Sequence, residues 1–336
     1  MVGWKMIEKR AITVMALLFI TSLAAGAQQA TKVLRVGIAR IGLLSPLTSS
    51  AAATDISAFR RGIRELGYVE GQNITIETRW TDGHPERLQL LAAELVRLKM
   101  DVIVTNGDPA IRAVKAETRT IPIVVAIAGD LVAAGHAVSL ARPGGQVTGF
   151  VDMAQDVGAK RVELLKEFVP TLTRIGVLWN VTNSLKVREF KETEAAVRAL
   201  GLAFKSLEVR NAEDIERAFR VAARERVGAI VVLQEPLTTG HAEDIARLAA
   251  EARLPTIFGL RDSVDAGGLM AYGPSRSAFY RQVAGYVDKI LKGAKPGDLP
   301  IQQPTSFELI INLKTAKALG LTIPPSLLLR VDQVIE

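Results

Sequence analysis

Asp101-Val102-Ile103-Val104-Thr105-Asn106-Gly107-Asp108-Pro109 reads as a buried strand, a tight turn and the start of a helix. Asp101–Thr105 is short, with an unbroken β-branched apolar centre at Val102-Ile103-Val104, the pattern of a strand covered on both faces. Asp108 suits a helix N-cap and Pro109 the first helical position. Pro109–Glu117 then continues as a helix. A buried strand feeding directly into a helix is the repeating unit of a parallel α/β sheet.

The unit recurs on both sides. Upstream, Val33–Ala39 reads as a strand and Asp55–Leu66 as a helix, with Ile56, Phe59, Ile63 and Leu66 at helical spacing and Gly67 as its C-cap. Asn73–Arg79 alternates as a strand, and Pro85–Leu98 carries Leu88, Leu91, Leu95 and Leu98 on one helical stripe. Downstream, strands at Ile121–Ile127 and Val147–Phe150 close a first series. A second series follows, with strands at Arg174–Trp179, Ala203–Val209, Ala229–Leu233 and Pro255–Phe258 between helices. Gly267–Gly273 reads as a flexible crossover, Ser275–Leu291 as a helix, Gly293–Pro304 as a connector and Phe307–Leu313 as a last strand. The expectation is an α/β fold of two lobes with parallel sheets flanked by helices. Lobe 1 would hold residues 33–150 plus about 273–305, and lobe 2 residues 151–272 plus about 306–336, with hinge crossings near 150, 272 and 305.

Composition narrows the function. Of 336 residues 49% are apolar, enough for sizeable cores, which excludes disorder, collagen and coiled coil. With no cysteine there is no disulfide, zinc–thiolate site, iron–sulfur cluster, thiol nucleophile or lipid-attachment cysteine. His84, His136 and His241 form no metal-binding pair in sequence, and no cofactor or metal is expected. The net charge of +7 is scattered, with no basic run, so nucleic acid is not an expected partner.

The first 27 residues account for +2 of that charge, through Lys5, Lys9 and Arg10 against Glu8. An apolar run of 15 residues follows at 11–25, and Ala25-Gly26-Ala27 places small residues at −3 and −1 of a cut before Gln28. This is the anatomy of a secretory signal peptide cleaved after Ala27. The alternatives are an uncleaved anchor or a buried helix; the run is shorter than the ~20 residues a spanning helix needs.

Ligands of open parallel sheets bind outside the carboxyl ends of the strands. The candidate loops are therefore Arg40–Ser45 with Gly42, Thr105–Asp108, Ala128–Asp130, Trp179–Ser184, Leu233–Thr239 and Gly259–Ser263. The turn Thr105-Asn106-Gly107-Asp108 would offer backbone N–H groups and a helix dipole to a ligand, or simply cap its helix. Asp108 already places a carboxylate at the positive end, so a ligand ammonium or hydroxyl is as consistent as a carboxylate. Asp130 and Glu235 could hold a ligand amine or cap helices, and Asn180 could hydrogen-bond a ligand from the second lobe. P-loop, dinucleotide-fingerprint and nucleophile-elbow motifs are missing, so no enzyme is expected.

Phe59–Asn73 (FRRGIRELGYVEGQN), Ser139–Gly149 (SLARPGGQVTG), Tyr286–Pro300 (YVDKILKGAKPGDLP) and Phe307–Glu336 then point to a family. The chain resembles, over roughly 33–336, the ABC-transporter substrate-binding proteins related to the tryptophan/tyrosine-binding group. The resemblance implies a two-lobed periplasmic-binding-protein fold, type I-like, with several hinge crossings. It implies a periplasmic receptor, monomeric, that hands a small solute to an inner-membrane ABC permease. An amino acid or a related carboxylate or amine is the implied solute class. Thr105 and Asp130 carry over by position. The chain departs from the family at Asp108, where a small hydroxyl residue is usual, and at His136, in a stretch normally apolar; aromatic amino-acid specificity is left open. An exported two-lobed enzyme and a ligand sensor docked on a membrane receptor remain as competing readings.

Overall fold

The computed structural model describes residues 37–152, 154–184 and 186–336. The expected signal segment, 1–27, and most of the expected strand at 33–39 lie outside the described residues. Two sheets organise the rest. The first has five parallel strands in the order β2-β1-β3-β4-β5: β1 Ala39–Ser45, β2 Ile74–Trp80, β3 Val102–Asn106, β4 Ile123–Ile127 and β5 Val147–Gly149. Helices α1 (Ala53–Glu65), α2 (Leu88–Arg97) and α3 (Asp108–Glu117) connect its strands. The strand alternation sorts the core by face. Ile41, Val102, Val104 and Val124 pack with Phe59 and Ile63 of α1, while Ile103, Ile123 and Val125 pack with Leu91, Leu95 and Ile111 of α2 and α3.

The second sheet has seven strands, of which β6 is Arg174–Asn180, β7 Ala203–Val209, β8 Ala229–Val232, β9 Thr256–Phe258, β10 Met270–Gly273, β11 Glu308–Asn312 and β12 Gln333–Ile335. Their order is β12-β11-β10-β9-β8-β6-β7, all parallel except β10 against β11. Around it lie α4 (Ala154–Phe168), α5 (Lys186–Ala199), α6 (Glu213–Arg224), the one-turn α7 (Pro236–Gly240), α8 (Ala242–Glu251) and α9 (Asp262–Asp265). α10 (Arg276–Leu291) follows β10 yet packs on α1 and β4 of the first sheet. The chain ends with α11 (Leu313–Ala318), α12 (Pro325–Leu328) and β12, back at the second sheet. The backbone thus passes between the sheets three times.

Two segments differ from the sequence reading. Arg40–Ser45, read as a loop, is most of β1, held by a parallel register from Ala39↔Ile74 to Ser45↔Trp80. Gly267–Gly273, read as a flexible crossover, ends in β10, paired on both sides. Its small residues serve close packing: a Cβ on Gly268 would stand 2.5 Å from the Phe258 ring, and one on Gly273 would stand 1.8 Å from the Gly259 carbonyl. Among the described residues, no helix is long and apolar enough to cross a membrane.

α10 reaches the first lobe through Gly62. A Cβ there would lie 2.5 Å from the Arg281 carbonyl oxygen and 2.9 Å from the Ala284 Cβ. Gly62→Ala adds about 1 kcal/mol of helix propensity but forces two helix backbones apart. The clash outweighs the propensity, so urea unfolding should show a net loss of about 1–3 kcal/mol. An equal or higher midpoint would place α10 elsewhere.

Candidate functional site

At the end of β3 the pairing with β4 shifts register between Thr105 and Asn106. Such a bulge re-aims the side chains beyond it. Gly107 follows at φ 73, a backbone that glycine adopts without strain, and α3 begins at Asp108 with Pro109 in its first turn. Asn106 is 6% exposed and its Oδ1 has no hydrogen-bond partner. Asp108 accepts from His136 Nε2 (2.6 Å) on one oxygen and from Arg112 Nε (2.5 Å) on the other. Lys115 Nζ stands 3.2 Å from His136 Nδ1. An ammonium has no lone pair, so Nδ1 accepts and the ring proton sits on Nε2, facing Asp108. Burial pushes the Asp108 carboxyl up, but the hydrogen bonds from His136 and Arg112 outweigh it and hold the group below its ordinary value.

The opposite wall comes from the second sheet. β8 runs out through Leu233 and Gln234 into Glu235, which caps α7 in a reciprocal box: Thr238 N donates to Glu235 Oε1 (3.0 Å) and Glu235 N to Thr238 Oγ1 (3.2 Å). Glu235 Oε2 accepts from Asn180 Nδ2 at the end of β6 (3.2 Å). A Cβ on Gly107 would meet the Pro236 ring at 3.0 Å, so the two turns lie against each other.

Two buried cation clusters complete the surroundings. Lys186 Nζ bonds Glu189 Oε2 (2.7 Å), whose Oε1 meets Arg161 Nη1 (3.1 Å); Arg161 Nε donates to the Tyr272 carbonyl (2.8 Å). Burial opposes the Lys186 charge, and Glu189 with Asp152 more than restores it. Arg276, at the start of α10, pairs with Asp55 of α1 (2.9 Å), with the Ala51 carbonyl (3.0 Å) and with Asp262 of α9 (2.6 Å). It joins the first lobe to the second.

These groups enclose an inner cavity of about 60 Å³, lined among others by Leu47, Asn106, Asp108, Asp152, Lys186, Glu235, Leu260 and Arg276. An outer cavity of about 540 Å³ shares Leu47, Glu235 and Pro236 with it and adds Thr48, Pro85, Asn180, Thr182, Arg210 and His241. Residues of both lobes line each cavity, at the carboxyl ends of the strands.

Residues 40–335 match the family described as ABC transporter substrate binding protein. The chain belongs to that family. A tyrosine-binding protein of Clostridioides difficile is 28% identical over 274 residues, 78% of this chain and 75% of that one. An ABC domain from Streptococcus pneumonia in complex with L-Trp is 26% identical, with TM-score 0.82, covering 89% of this chain and all of that one. A conserved domain protein of Vibrio cholerae gives the same identity, TM-score and coverage. A 5-methylthioribose transporter solute binding protein of Thermotoga lettingae, 16% identical with TM-score 0.58 over 85% of this chain and 94% of that one, shares the fold. The fold is the type I-like, two-lobed periplasmic-binding-protein fold.

The residues named from sequence fall into two groups. Asn106, Asp108 and Glu235 line the inner cavity, and Asn180 and Glu235 the outer. Gly42, Thr105 and Asp130 line neither. Gly42 sits in mid-β1, its open side filled by Met100, Ile103 and Leu95. Thr105 is buried and spends its hydroxyl on the Leu44 carbonyl (2.8 Å), tying β3 to β1. Asp130 Oδ1 accepts from Val132 N and Ala133 N (both 3.0 Å), closing the turn that carries His136. Trp179 is a core residue, stacked on Phe190 at 4.1 Å. Lys186, Asp152 and Arg276 were not singled out in the sequence. Lys186 lies two residues past a candidate loop, and Arg276 lies in the Gly-Pro-Ser-Arg-Ser stretch that ends the second hinge crossing.

Burial of Asp55, partly offset by Arg276 and reinforced by Asp262, pushes its carboxyl from 3.8 up to about 6. The native state then binds this proton more tightly than the unfolded chain does. Its contribution to stability is complete below the unfolded value and is lost as the pH rises through the native one. Thermal melts should show wild type gaining on Asp55→Asn as the pH falls from about 7 to about 4. Parallel curves for the two proteins would rule this titration out.

Proposed function

We propose that this chain is the extracytoplasmic solute receptor of an ABC importer, passing a small solute to an inner-membrane permease. The observation that carries the reading is the inner cavity, whose buried polar groups come from both lobes. Neither lobe alone offers a complete polar shell, so a solute gains its full set of contacts only when the lobes are together. Closure is then favoured by differential binding to the closed state. The three crossings, near 150, 273 and 305, serve as the hinge. The binding lobes are 33–150 with about 273–305, and 151–272 with about 306–336. The receptor is exported through the signal segment 1–27 and works as a monomer in the periplasm. It carries out no chemistry on the solute. The tyrosine-binding relative and the L-Trp complex support an amino acid, or an amine or carboxylate of similar size, as the solute class.

Mass spectrometry of small molecules released from the purified protein should recover this solute. Added back at a hundredfold excess over Kd, it should stabilise the protein by about 2.7 kcal/mol and reduce its radius of gyration in small-angle scattering. Gly107→Val places a β-branched side chain at φ 73 and against Pro236, holding the lobes apart. It should weaken solute binding at least about tenfold, since each 1.4 kcal/mol of lost closure is a decade. Full binding by this variant would remove closure from the mechanism.

A further inference from the structure

The receptor reading leaves open which solute the cavity takes, and the inference here rests on that reading and narrows it. Three buried acceptors converge on the inner cavity from both lobes. Asn106 Oδ1 is unpartnered, and a buried carbonyl oxygen in that state calls for a donor. Asp108 is ionised and has taken one donor on each oxygen, which leaves lone-pair directions open on both. Glu235 is 7% exposed, and the bonds to its carboxylate come from neutral groups, the Thr238 amide and the side chains of Asn180 and Asn183. Among the described residues, no Lys, Arg or His stands within ion-pair distance of it. A buried carboxylate without a counter-charge is costly unless a cation arrives. The two cations that line the cavity are engaged elsewhere, Lys186 with Glu189 and Arg276 with Asp55 and Asp262. Of the acceptors that face the cavity, the Asn106 carbonyl and Glu235 are the two with no cationic partner, and a solute cation would supply one.

We propose that the solute's leading group is a protonated aliphatic amine, seated among Asn106 Oδ1, Asp108 and Glu235, with its chain running out through the outer cavity. The volumes fit this order. About 60 Å³ inside suits an ammonium and its first methylenes, and about 540 Å³ outside takes the remainder. Among the described residues, no Phe, Tyr or Trp lines either cavity, so neither ring stacking nor a cation–π cage is offered. Carboxylates do the recognising. Asp108 is then the specificity-determining residue: its fixed negative charge at the start of α3 takes an ammonium and turns away a carboxylate.

The test is titration calorimetry on the full chain with matched probes: 1-aminopentane and 1,5-diaminopentane against pentanoate and glutarate, with L-tyrosine and L-tryptophan beside them. The amines bind and the two carboxylates do not. Glu235→Gln and Asp108→Asn each weaken the amines at least about tenfold, the size of one charge-assisted hydrogen bond. Glu216→Gln, on the exposed face of α6, leaves the amines unchanged. Glu235 also caps α7, so the melting temperature of each unliganded variant is measured. If Glu235→Gln melts well below wild type, Asn106→Ala carries the test with the same expected loss. Pentanoate or glutarate binding as tightly as the amines overturns the proposal. So does an amine affinity indifferent to these variants, or no binding by any amine. A recovered solute that lacks an amine but loses affinity in Gly107→Val sinks this inference and leaves the receptor reading standing.

Discussion

A guanidinium that is 6% exposed cannot sit between two lobes unless acids meet it from both. Arg276 is placed in that way. Its own helix, α10, belongs with the first sheet, and Asp55 and the Ala51 carbonyl fix it there. Its contact with Asp262 reaches the second. Leu260, two residues before Asp262, carries the same connection in apolar form. It leaves the second sheet after β9, yet it is buried in the cluster of Phe59, Ile127 and Phe279 on the first. The loop from β9 to α9 is therefore clamped to the first lobe by one hydrocarbon and one ion pair. The inner cavity lies beside that clamp and shares Leu260 and Arg276 with it.

Burying so many charges does little for stability by itself, because desolvation offsets most of the Coulomb gain. Their arrangement has another consequence. Each buried cation is held by acids in fixed directions, so its position follows from the backbone and not from a flexible stem. Lys186 shows this. Glu189 lies one helical turn on, in α5, and is itself held by Arg161 of α4. The wall is preorganised, and a solute meets groups that need not be reordered on binding.

Much of this was legible in the sequence because strand and helix periodicities survive tertiary packing. The βα alternation located both sheets, and the rule of strand ends pointed to Asn106, Asp108, Asn180 and Glu235, which line the two cavities. Failures came where a decision depended on distant backbone. β1 begins where it pairs with Ile74, and nothing within 33–45 marks that register. Gly42 consequently moved from a presumed loop to a packed strand interior. Thr105 and Asp130 stand where sequence logic placed them, at strand ends, but their oxygens are consumed by the Leu44 carbonyl and by the 130–136 turn. Arg276 was illegible for the plainest reason: Asp55 lies 221 residues away. Lone ionisable residues declare a role only once their partners are known.

Asp108 and His136 make the same point in the opposite direction. They stand 28 residues apart, and nothing in the sequence alone connects them. In the structure they are one object, joined at 2.6 Å. A carboxylate at 9% exposure needs donors on its oxygens. The His136 ring supplies one, and Lys115 fixes which nitrogen carries the proton. Asp130 closes the turn that holds the ring in place. The histidine on one oxygen and Arg112 on the other are what make the buried carboxylate tenable at the start of α3.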